Sequence, residues 1–246
     1  MGTEKAYKLL ANQKGISNKK AKEIIDKGLV YVGDKKVKIA RAEMRDDTKF
    51  RIEKVDDVEI LFEDDYILAI DKPPFIESYD IAESFPNTTL LHRLDRETSG
   101  VLLLSKNEEF THDAIEAFRQ KTVVKKYIAW VEGVVFEEIV IDKPISTHKH
   151  NNKAYSKIDP KRGKPATTVV KPHEIQGKKS KIDIRIDTGR THQIRVHLAD
   201  IKHPIVGDEF YGSKTASKRI LLHAKKIEIL GYTIQSPEPL DIQKYK

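Results

Sequence analysis

The sequence contains no cysteine among its 246 residues. Disulfide bonds, thiolate nucleophiles and cysteine-ligated metal sites are therefore excluded. No apolar run approaches the roughly 18 residues that a membrane span needs, and the start MGTEKAYKLL lacks the apolar core of a signal peptide. We therefore expect a cytoplasmic protein with no membrane partner and, by default, a monomer.

Motifs for cofactors and metals are also missing. The phosphate-binding patterns G-x-G-x-x-G and G-K-[ST] do not occur, so neither a dinucleotide nor ATP is implied. Nine histidines make a metal enzyme an alternative, but H-E-x-x-H is absent. His192 and His197 are five positions apart, whereas a chelating pair on one helical face would be four apart. The sequence therefore predicts no metal and no cofactor.

Positive charge is concentrated at the start of the chain. The whole sequence has 45 Lys and Arg against 38 Asp and Glu, a net charge of +7. Residues 1–54 hold 15 of the basic and 8 of the acidic residues, so residues 55–246 have no net charge. A basic module that binds a polyanion, joined to a neutral catalytic domain, would give this distribution. A charged surface that is merely solvated would give it equally well.

Residues 1–54 predict two short helices followed by a hairpin. AYKLLANQ reads as a helix that ends at Gly15, and Ser17 is placed to cap a second helix over about 18–28. LVYVGDKKVKI alternates around Gly33-Asp34, as two strands joined by a tight turn should. This order, with its lysine-rich second helix, resembles the S4 RNA-binding domain over residues 3–54. The resemblance implies phosphate contacts by four lysines, which could otherwise simply be solvated: Lys19, Lys20, Lys22 and Lys27.

Residues 55–246 have the pattern of an α+β domain. Short alternating or apolar runs are separated by turn signals, and VLLLS at 101–105 reads as a strand buried on both faces. Residues 107–121 predict an amphipathic helix, and THQIRVHLADI a helix that begins through the turn at Thr188-Gly189. The stretch 146–168, rich in Lys, His and Asn, reads as a loop that could hold a hairpin.

The polar cluster H-R-L-D-R-E-T-S-G, residues 92–100, abuts the apolar strand. Asp95 lies between Arg93 and Arg96, with His92 near, and this grouping would keep a partly buried aspartate ionised. An ionised aspartate can act as a nucleophile or as a base. Spacing alone leaves a structural salt-bridge corner open as the alternative.

A second polar cluster, D-T-G-R-T-H-Q-I-R-V-H, occupies residues 187–197. It predicts a glycine turn at a helix N-terminus, which attracts anions. Arg190 at the start and Arg195 within the predicted helix would project about 140° apart. They could therefore serve separate partners, one a phosphate and the other a carboxylate, although either could be an ordinary surface arginine.

Five motifs in order identify a resemblance. H-R-L-D-R-E-T-S-G, K-K-Y-I-A, T-G-R-T-H-Q-I-R-V-H-L-A, H-P-I-V-G-D and L-L-H-A follow one another over about residues 58–235. This series resembles the RluA family of pseudouridine synthases, which implies a mixed, mainly antiparallel β-sheet with flanking helices. We therefore expect an N-terminal S4-like domain over residues 1–54 and a catalytic domain over residues 55–246.

The resemblance also implies roles for individual residues. Asp95 would be the catalytic aspartate, Arg195 its partner and Tyr127 the aromatic ring against the target base. The base must leave its stack, which costs a few kcal/mol, and the resemblance implies that an inserted arginine offsets this cost. The implied substrate-binding residues are Arg93, Arg190, His92 and Leu222.

Several questions stay open at this level. The aspartate could attack C1′, add to the uracil ring, or remove a proton from C2′. The S4-like start favours large-subunit (23S) ribosomal RNA over transfer RNA, and a non-catalytic ribosome-assembly factor is a further alternative. The loop before His92 is also shorter than is usual in the family, which continues K-P-x-G with a run ending V-H-P before a longer loop, whereas this chain has K-P-P-F-I-E-S at 72–78.

Overall fold

The computed structural model describes residues 2–33, 35–53, 57–150 and 153–244. The chain forms two compact units, Met1–Asp56 and Asp57–Lys246, and the boundary that the sequence predicted lies after residue 54. Within the described ranges, no helix is both long and apolar enough to cross a membrane.

The first unit is built from short elements. Gly15 ends the first helix in the left-handed conformation (φ 64°), and the Ser17 side chain caps the second by accepting a hydrogen bond from the Lys20 backbone N–H at 3.2 Å. Both boundaries agree with the sequence prediction. The elements are β1 (Thr3–Lys5), α1 (Ala6–Lys14), α2 (Asn18–Asp26), β2 (Val30–Val32), β3 (Lys35–Lys36), β4 (Glu43–Arg45) and β5 (Arg51–Ile52).

Two small sheets and one core hold this unit together. β2 lies between β3 and β5, and β1 pairs with β4. The two helices contribute apolar side chains to this core, whose buried residues include Leu10, Ala21, Ile25, Val30, Val37 and Phe50.

The second unit contains the remaining elements. The strands are β6 (Glu59–Glu63), β7 (Ile67–Lys72), β8 (Thr89–Leu90), β9 (Ser99–Ser105), β10 (Val124–Glu132), β11 (Ile139–Asp142), β12 (Ile145–His150), β13 (Lys153–Ile158), β14 (Thr167–Gln176), β15 (Lys179–Ile186), β16 (Leu222–Ile229) and β17 (Tyr232–Gln235). The helices are α3 (Ser78–Glu83), α4 (Glu108–Arg119), α5 (Gln193–Asp200) and α6 (Leu240–Gln243), with a 3-10 helix at Glu209–Tyr211.

One large sheet forms the centre of the second unit. Its strand order is β11-β14-β15-β10-β16-β9-β7-β6, with β17 against β16 and β8 against β9. β12 and β13 pair separately as a hairpin within the stretch that the sequence read as a loop. Among the described strands of the large sheet, β9 and β16 pair in parallel and the other pairs are antiparallel. The predicted α+β fold with a mixed, mainly antiparallel sheet is confirmed.

Apolar residues cover both faces of this sheet. All seven residues of β9 are buried, as the run VLLLS predicted. Alternate residues of β10 face opposite ways, so Tyr127 and Ala129 pack into one core while Ile128 and Trp130 pack into another. The Trp130 indole is fully buried, and its Nε1 donates a 2.8 Å hydrogen bond to the Ile242 carbonyl in α6.

The parallel contact between β9 and β16 depends on Gly100. Gly100 has φ of +111° and lies opposite Ala224, and a Cβ at this position would stand 2.2 Å from the Ala224 carbonyl oxygen. That distance is far inside van der Waals contact, and the clashing atom is backbone. A side chain at residue 100 would therefore push the two strands apart.

We predict that Gly100→Ala lowers the free energy of unfolding by about 3 kcal/mol. Two costs contribute to this loss: an alanine strained at positive φ, and the overpacking of its Cβ against the Ala224 carbonyl. Gly177→Ala is the matched control, since φ there is +59° and a Cβ would have nothing within 4 Å. The control should lose only about 1–2 kcal/mol for the left-handed backbone. Urea unfolding measures both values, and equal losses would show that the close approach does not matter.

Candidate active site

The sheet brings the predicted site residues toward one place. Asp95 lies four residues before Ser99, the first residue of β9, and Leu222 begins β16. Because β9 and β16 are parallel, their first residues lie at the same edge of the sheet. Leu222 pairs with Ala129 of β10, which places Tyr127, two residues away, on the same side of the sheet. Tyr127 and Leu222 pack in one core cluster with Leu94 and Ile194. Leu94 directly precedes Asp95, and Ile194 directly precedes Arg195.

Tyr127 occupies an irregular point of the sheet. The register between β10 and β16 shifts between Lys126 and Ile128, and such bulges change the direction in which a side chain points. Tyr127 is 8% exposed. Burial, and then the negative charge of Asp95, raise the pKa of the Tyr127 hydroxyl above its ordinary value. Its hydroxyl is therefore neutral throughout the range in which the protein would work.

A buried arginine contacts the predicted catalytic aspartate. Arg195 Nη1 donates a 3.1 Å hydrogen bond to Asp95 Oδ2. The opposite edge of the same guanidinium binds Asp208, with Nε 2.7 Å from Oδ2 and Nη2 3.0 Å from Oδ1. Burial acts against the charged guanidinium, but the hydrogen bonds and charge of Asp208, followed by the charge of Asp95, raise the Arg195 pKa above its ordinary value. Arg195 is therefore a fixed positive charge beside Asp95.

His192 and Tyr211 complete the surroundings of this arginine. The Tyr211 ring centroid lies 5.0 Å from Arg195 Cζ, and the Tyr211 hydroxyl is 3.0 Å from His192 Nδ1. His192 Nε2 is 3.9 Å from Asp95 Oδ2. Burial lowers the pKa of the His192 imidazole, although the charge of Asp95 opposes that effect. Burial thus favours the neutral form of His192.

The backbone on both sides of Asp95 is tethered. The Ser78 hydroxyl accepts a hydrogen bond from the Leu94 N–H and also lies 3.0 Å from the Leu94 carbonyl. The Arg96 carbonyl accepts hydrogen bonds from the Phe75 N–H at 2.7 Å and from Lys72 Nζ at 3.1 Å. The short segment before His92, which departs from the family pattern, therefore supplies the contacts that fix the Asp95 loop.

Lys72 is a part of the site that the sequence did not single out. Its side chain is fully buried, and Nζ also donates to the Pro73 carbonyl at 2.9 Å. Burial lowers the pKa of the Lys72 amine to about 7, against the opposing attraction of Glu77 and Asp95. A buried lysine was not detectable from the pattern, because Lys72 ends a strand next to a turn, where lysines are usually solvated.

Arg93 lies at the surface beside the site. It is exposed, and its guanidinium carbon is 5.8 Å from the centroid of the Tyr79 ring, which is itself 57% exposed. Tyr79 belongs to α3, which begins at the last residue of the 72–78 segment. An exposed arginine two residues before Asp95 is compatible with insertion into an RNA stack, and that role stays a prediction.

Two of the predicted substrate-binding residues differ in position from what the sequence suggested. The helix begins at Gln193, because His192 is left-handed (φ 53°), so Arg190 lies before the helix. The predicted 140° separation of two arginines on one helix is therefore wrong. Arg190 Nε donates to the Pro165 carbonyl at 3.2 Å, while its backbone N–H binds Gln193 Oε1 at 3.1 Å.

His92 is directed into the fold. Its Nε2 accepts a hydrogen bond from the Leu103 N–H at 3.2 Å, and its ring packs 5.9 Å from that of Phe118 in α4. Burial, followed by the positive charge of Lys125, lowers the pKa of the His92 imidazole to about 4. These contacts make His92 a support of β9, and its role in binding substrate stays a prediction.

The other histidines that raised the question of a metal are also engaged by protein groups. His197 bonds Thr168 Oγ1 and the Lys143 carbonyl, each at 2.9 Å. His223 lies between the hydroxyls of Ser99 and Ser236, at 2.9 and 3.2 Å. In the part of the chain that the structure describes, no three His, Asp or Glu side chains are grouped to hold a metal ion.

Comparison with known proteins identifies the family. The family described as RNA pseudouridylate synthase matches residues 76–200, about half of the chain. The chain belongs to this family. The match includes Asp95, Tyr127 and Arg195, and the chain is an RNA pseudouridine synthase of the RluA type.

Several similar proteins are also named as pseudouridine synthases. A Helicobacter pylori (strain J99) protein named "Uncharacterized RNA pseudouridine synthase" is 50% identical over 242 residues, covering 98% of this chain and 99% of its own. "Ribosomal large subunit pseudouridine synthase C" of Buchnera aphidicola subsp. Baizongia pistaciae is 39% identical over 194 residues, covering 68% of this chain and 61% of its own. The solved structure of human RNA pseudouridylate synthase domain containing 1 has a TM-score of 0.65 and 26% identity, covering 74% of this chain and 84% of its own.

The geometry suits the reaction of such a synthase. The N1–C1′ bond of uridine must break, the uracil must turn, and C5 must bond to C1′ without loss of the base. The Asp95 side chain is 28% exposed and is held from behind by Arg195, so its carboxylate is both oriented and accessible. Attack on C1′, addition to the ring and removal of the C2′ proton all need a carboxylate of this kind.

We predict that Asp95→Asn abolishes turnover while RNA binding persists, because the amide keeps the shape of the side chain but lacks its nucleophilic charge. Release of tritium from C5-labelled uridine in RNA measures turnover, and filter binding measures affinity. Asp65→Asn, at an exposed turn position, is the control and should behave as wild type. Retained turnover in Asp95→Asn would show that another carboxylate carries the reaction.

Proposed function

We propose that this synthase isomerises uridine in large-subunit ribosomal RNA, with Asp95 as the catalytic residue. The observation that carries the assignment of the residue is the 3.1 Å hydrogen bond from Arg195 to a partly exposed Asp95 carboxylate. The relatives named as ribosomal large subunit synthases C and D favour ribosomal RNA over transfer RNA. Such a substrate is met in the cytoplasm, and we expect the protein to act there as a monomer.

The residues around Asp95 would hold the displaced base and the RNA next to it. Arg93 would enter the stack that the uridine leaves, offsetting part of an unstacking cost of a few kcal/mol. Tyr127 and Leu222 would cover the base and exclude water. Arg190, which lies before α5, would contact a phosphate. A non-catalytic assembly factor would not need the paired Asp95 and Arg195.

We further propose that the first unit is an S4-like RNA-binding module. In α2, Lys19 and Lys20 are exposed, and Lys20 and Lys27 both approach Glu23, at 3.4 and 2.9 Å. Lys22 lies 4.3 Å from the centroid of the Tyr7 ring. Exposed pairs of this kind are weak, so phosphate groups could compete with Glu23 for these lysines at little cost.

A second basic surface supports RNA binding by the catalytic unit. Residues 143–164, which include the β12–β13 hairpin, hold seven Lys or Arg and one Asp, a net charge of +6. The rest of residues 55–246 holds 23 basic and 29 acidic residues, a net charge of −6. The hairpin is tied to α5 and its approach, since Ser156 Oγ donates to the Thr191 carbonyl at 2.6 Å. Positive charge is thus concentrated in one segment of an otherwise acidic unit, and Ser156 ties that segment to Thr191, shortly before α5.

We predict that the double variant Lys19→Glu, Lys20→Glu binds RNA more weakly and with a flatter salt dependence. Each phosphate contact contributes about 0.7–0.9 to the slope of log K against log salt, so the slope should fall by about 1.4–1.8. Lys171→Glu with Lys178→Glu makes the same change of charge on exposed residues of the catalytic unit, and serves as control. Equal slopes in the two double variants would contradict an RNA-binding role for α2.

Mapping of pseudouridines tests the proposed substrate. RNA from a strain that lacks the gene should miss one or more pseudouridines in large-subunit ribosomal RNA that the parent strain contains. Reintroduction of the wild-type gene should restore them, and the Asp95→Asn gene should not. Sites missing from transfer RNA alone would overturn the assignment to ribosomal RNA and leave the enzymatic activity intact.

A further inference from the structure

Arg195 connects two carboxylates that differ in their surroundings. Asp208 is 1% exposed and binds the Nε and Nη2 edge of the guanidinium with two hydrogen bonds. Asp95 is partly exposed and receives one hydrogen bond, from Nη1. The two-bond contact is the geometry in which arginine is held most firmly by a carboxylate. Arg195 is therefore anchored by Asp208 and presents its remaining nitrogen to Asp95.

This anchoring determines which oxygen of Asp95 is occupied. Arg195 Nη1 and His192 Nε2 both approach Oδ2, at 3.1 and 3.9 Å. Among the residues that the structure describes, no hydrogen bond reaches Asp95 Oδ1. An arginine that was free to turn could bind both oxygens of Asp95 in the two-bond geometry. Asp208 prevents this by occupying that edge, which leaves Oδ1 for the substrate.

The net charge of Arg195, Asp95 and Asp208 also affects the reactivity of the Asp95 carboxylate. One guanidinium lies between two carboxylates, so Arg195, Asp95 and Asp208 together carry one negative charge when all are ionised. Without the charge of Asp208, the whole positive charge of a buried arginine would act on Asp95, in surroundings that screen charge poorly. A carboxylate in so tight a pair is a weaker nucleophile and a weaker base.

Tyr211 holds the arginine from a third side. Its ring faces the guanidinium at 5.0 Å, and its backbone N–H lies 3.3 Å from Asp208 Oδ1 at the start of the 3-10 helix. The Tyr211 hydroxyl accepts a 2.9 Å hydrogen bond from the Ser156 N–H of the β12–β13 hairpin. Asp208 thus binds one edge of the Arg195 guanidinium, and the Tyr211 ring packs against one of its faces.

We propose that Asp208, backed by the ring of Tyr211, is a positioning residue that acts through Arg195 to keep one oxygen of Asp95 free and reactive. The proposal rests on the proposed role of Asp95. It assigns to the H-P-I-V-G-D segment, which ends at Asp208, a function in the reaction rather than in folding alone.

Asp208→Asn tests this, because the amide keeps the size of the side chain and one acceptor but removes the charge and the two-bond grip. We expect kcat for tritium release, measured in steady state, to fall about 10- to 100-fold, as for a displacement of about 1 Å of a reacting group. KM for RNA should stay within about twofold, since Asp208 is buried and does not touch RNA. A purely structural role would lower the melting temperature without this separation of kcat from KM.

Asp241→Asn is a control with the same hydrogen-bond geometry, at a carboxylate that is 45% exposed. Arg219 is also buried, and Asp241 binds it in the same two-bond geometry, with Nε at 2.7 Å and Nη2 at 2.8 Å. Asp241 makes no contact with Asp95 among the described residues, so this variant should lose stability but keep kcat within about twofold. Equal kcat values in Asp208→Asn and Asp241→Asn would overturn the proposal.

Two further variants cover the case in which Asp208→Asn does not fold. Tyr211→Phe keeps the ring behind the guanidinium, whereas Tyr211→Leu removes it. We expect kcat to be about tenfold lower in Tyr211→Leu than in Tyr211→Phe, with KM for RNA unchanged, and equal kcat values would reject the proposal. Asp95→Asn, run in parallel, separates the two hypotheses, because turnover in that variant would reject Asp95 itself.

Discussion

The close approach of β9 and β16 is the constraint on which the rest of the site depends. Gly100 lets the two backbones meet, with no room for a Cβ against the Ala224 carbonyl. Because the pair is parallel, the Asp95 loop before β9 and Leu222 at the start of β16 share one edge of the sheet. β10 then pairs with the other side of β16 and contributes Tyr127. Residues that are far apart in the chain are thus brought together by backbone pairing.

Ion pairs with Arg195 also fix the position of Asp95. α5 places Arg195 where its guanidinium reaches both Asp95 and Asp208, so that a buried positive charge never lacks a partner. The Asp95 loop is tied to the fold separately, through Ser78 and Lys72. The position of the carboxylate and the direction of its hydrogen-bonding partner are therefore set by different parts of the chain, which leaves the aspartate little freedom before substrate binds.

The features that could be predicted from the sequence are those that depend on residues close together in the chain. The apolar run of β9 and the caps of α1 and α2 follow from periodicity and turn chemistry, and the ordered motifs pointed to the contact between Asp95 and Arg195 that the structure contains. The sequence did not reveal the burial of Lys72 or the grip of Asp208, because both depend on contacts between distant segments. The left-handed His192 was equally invisible, since most histidines in such a pattern continue a helix.

The position of Trp130 gives the protein a built-in spectroscopic reporter. The sequence contains one tryptophan, and its indole is fully buried between β10 and α6 in the unit Asp57–Lys246. Its fluorescence emission therefore follows the unfolding of this unit alone, while circular dichroism follows both units. A difference between the two transitions would measure how independently the basic first unit unfolds, without a label or a truncated chain.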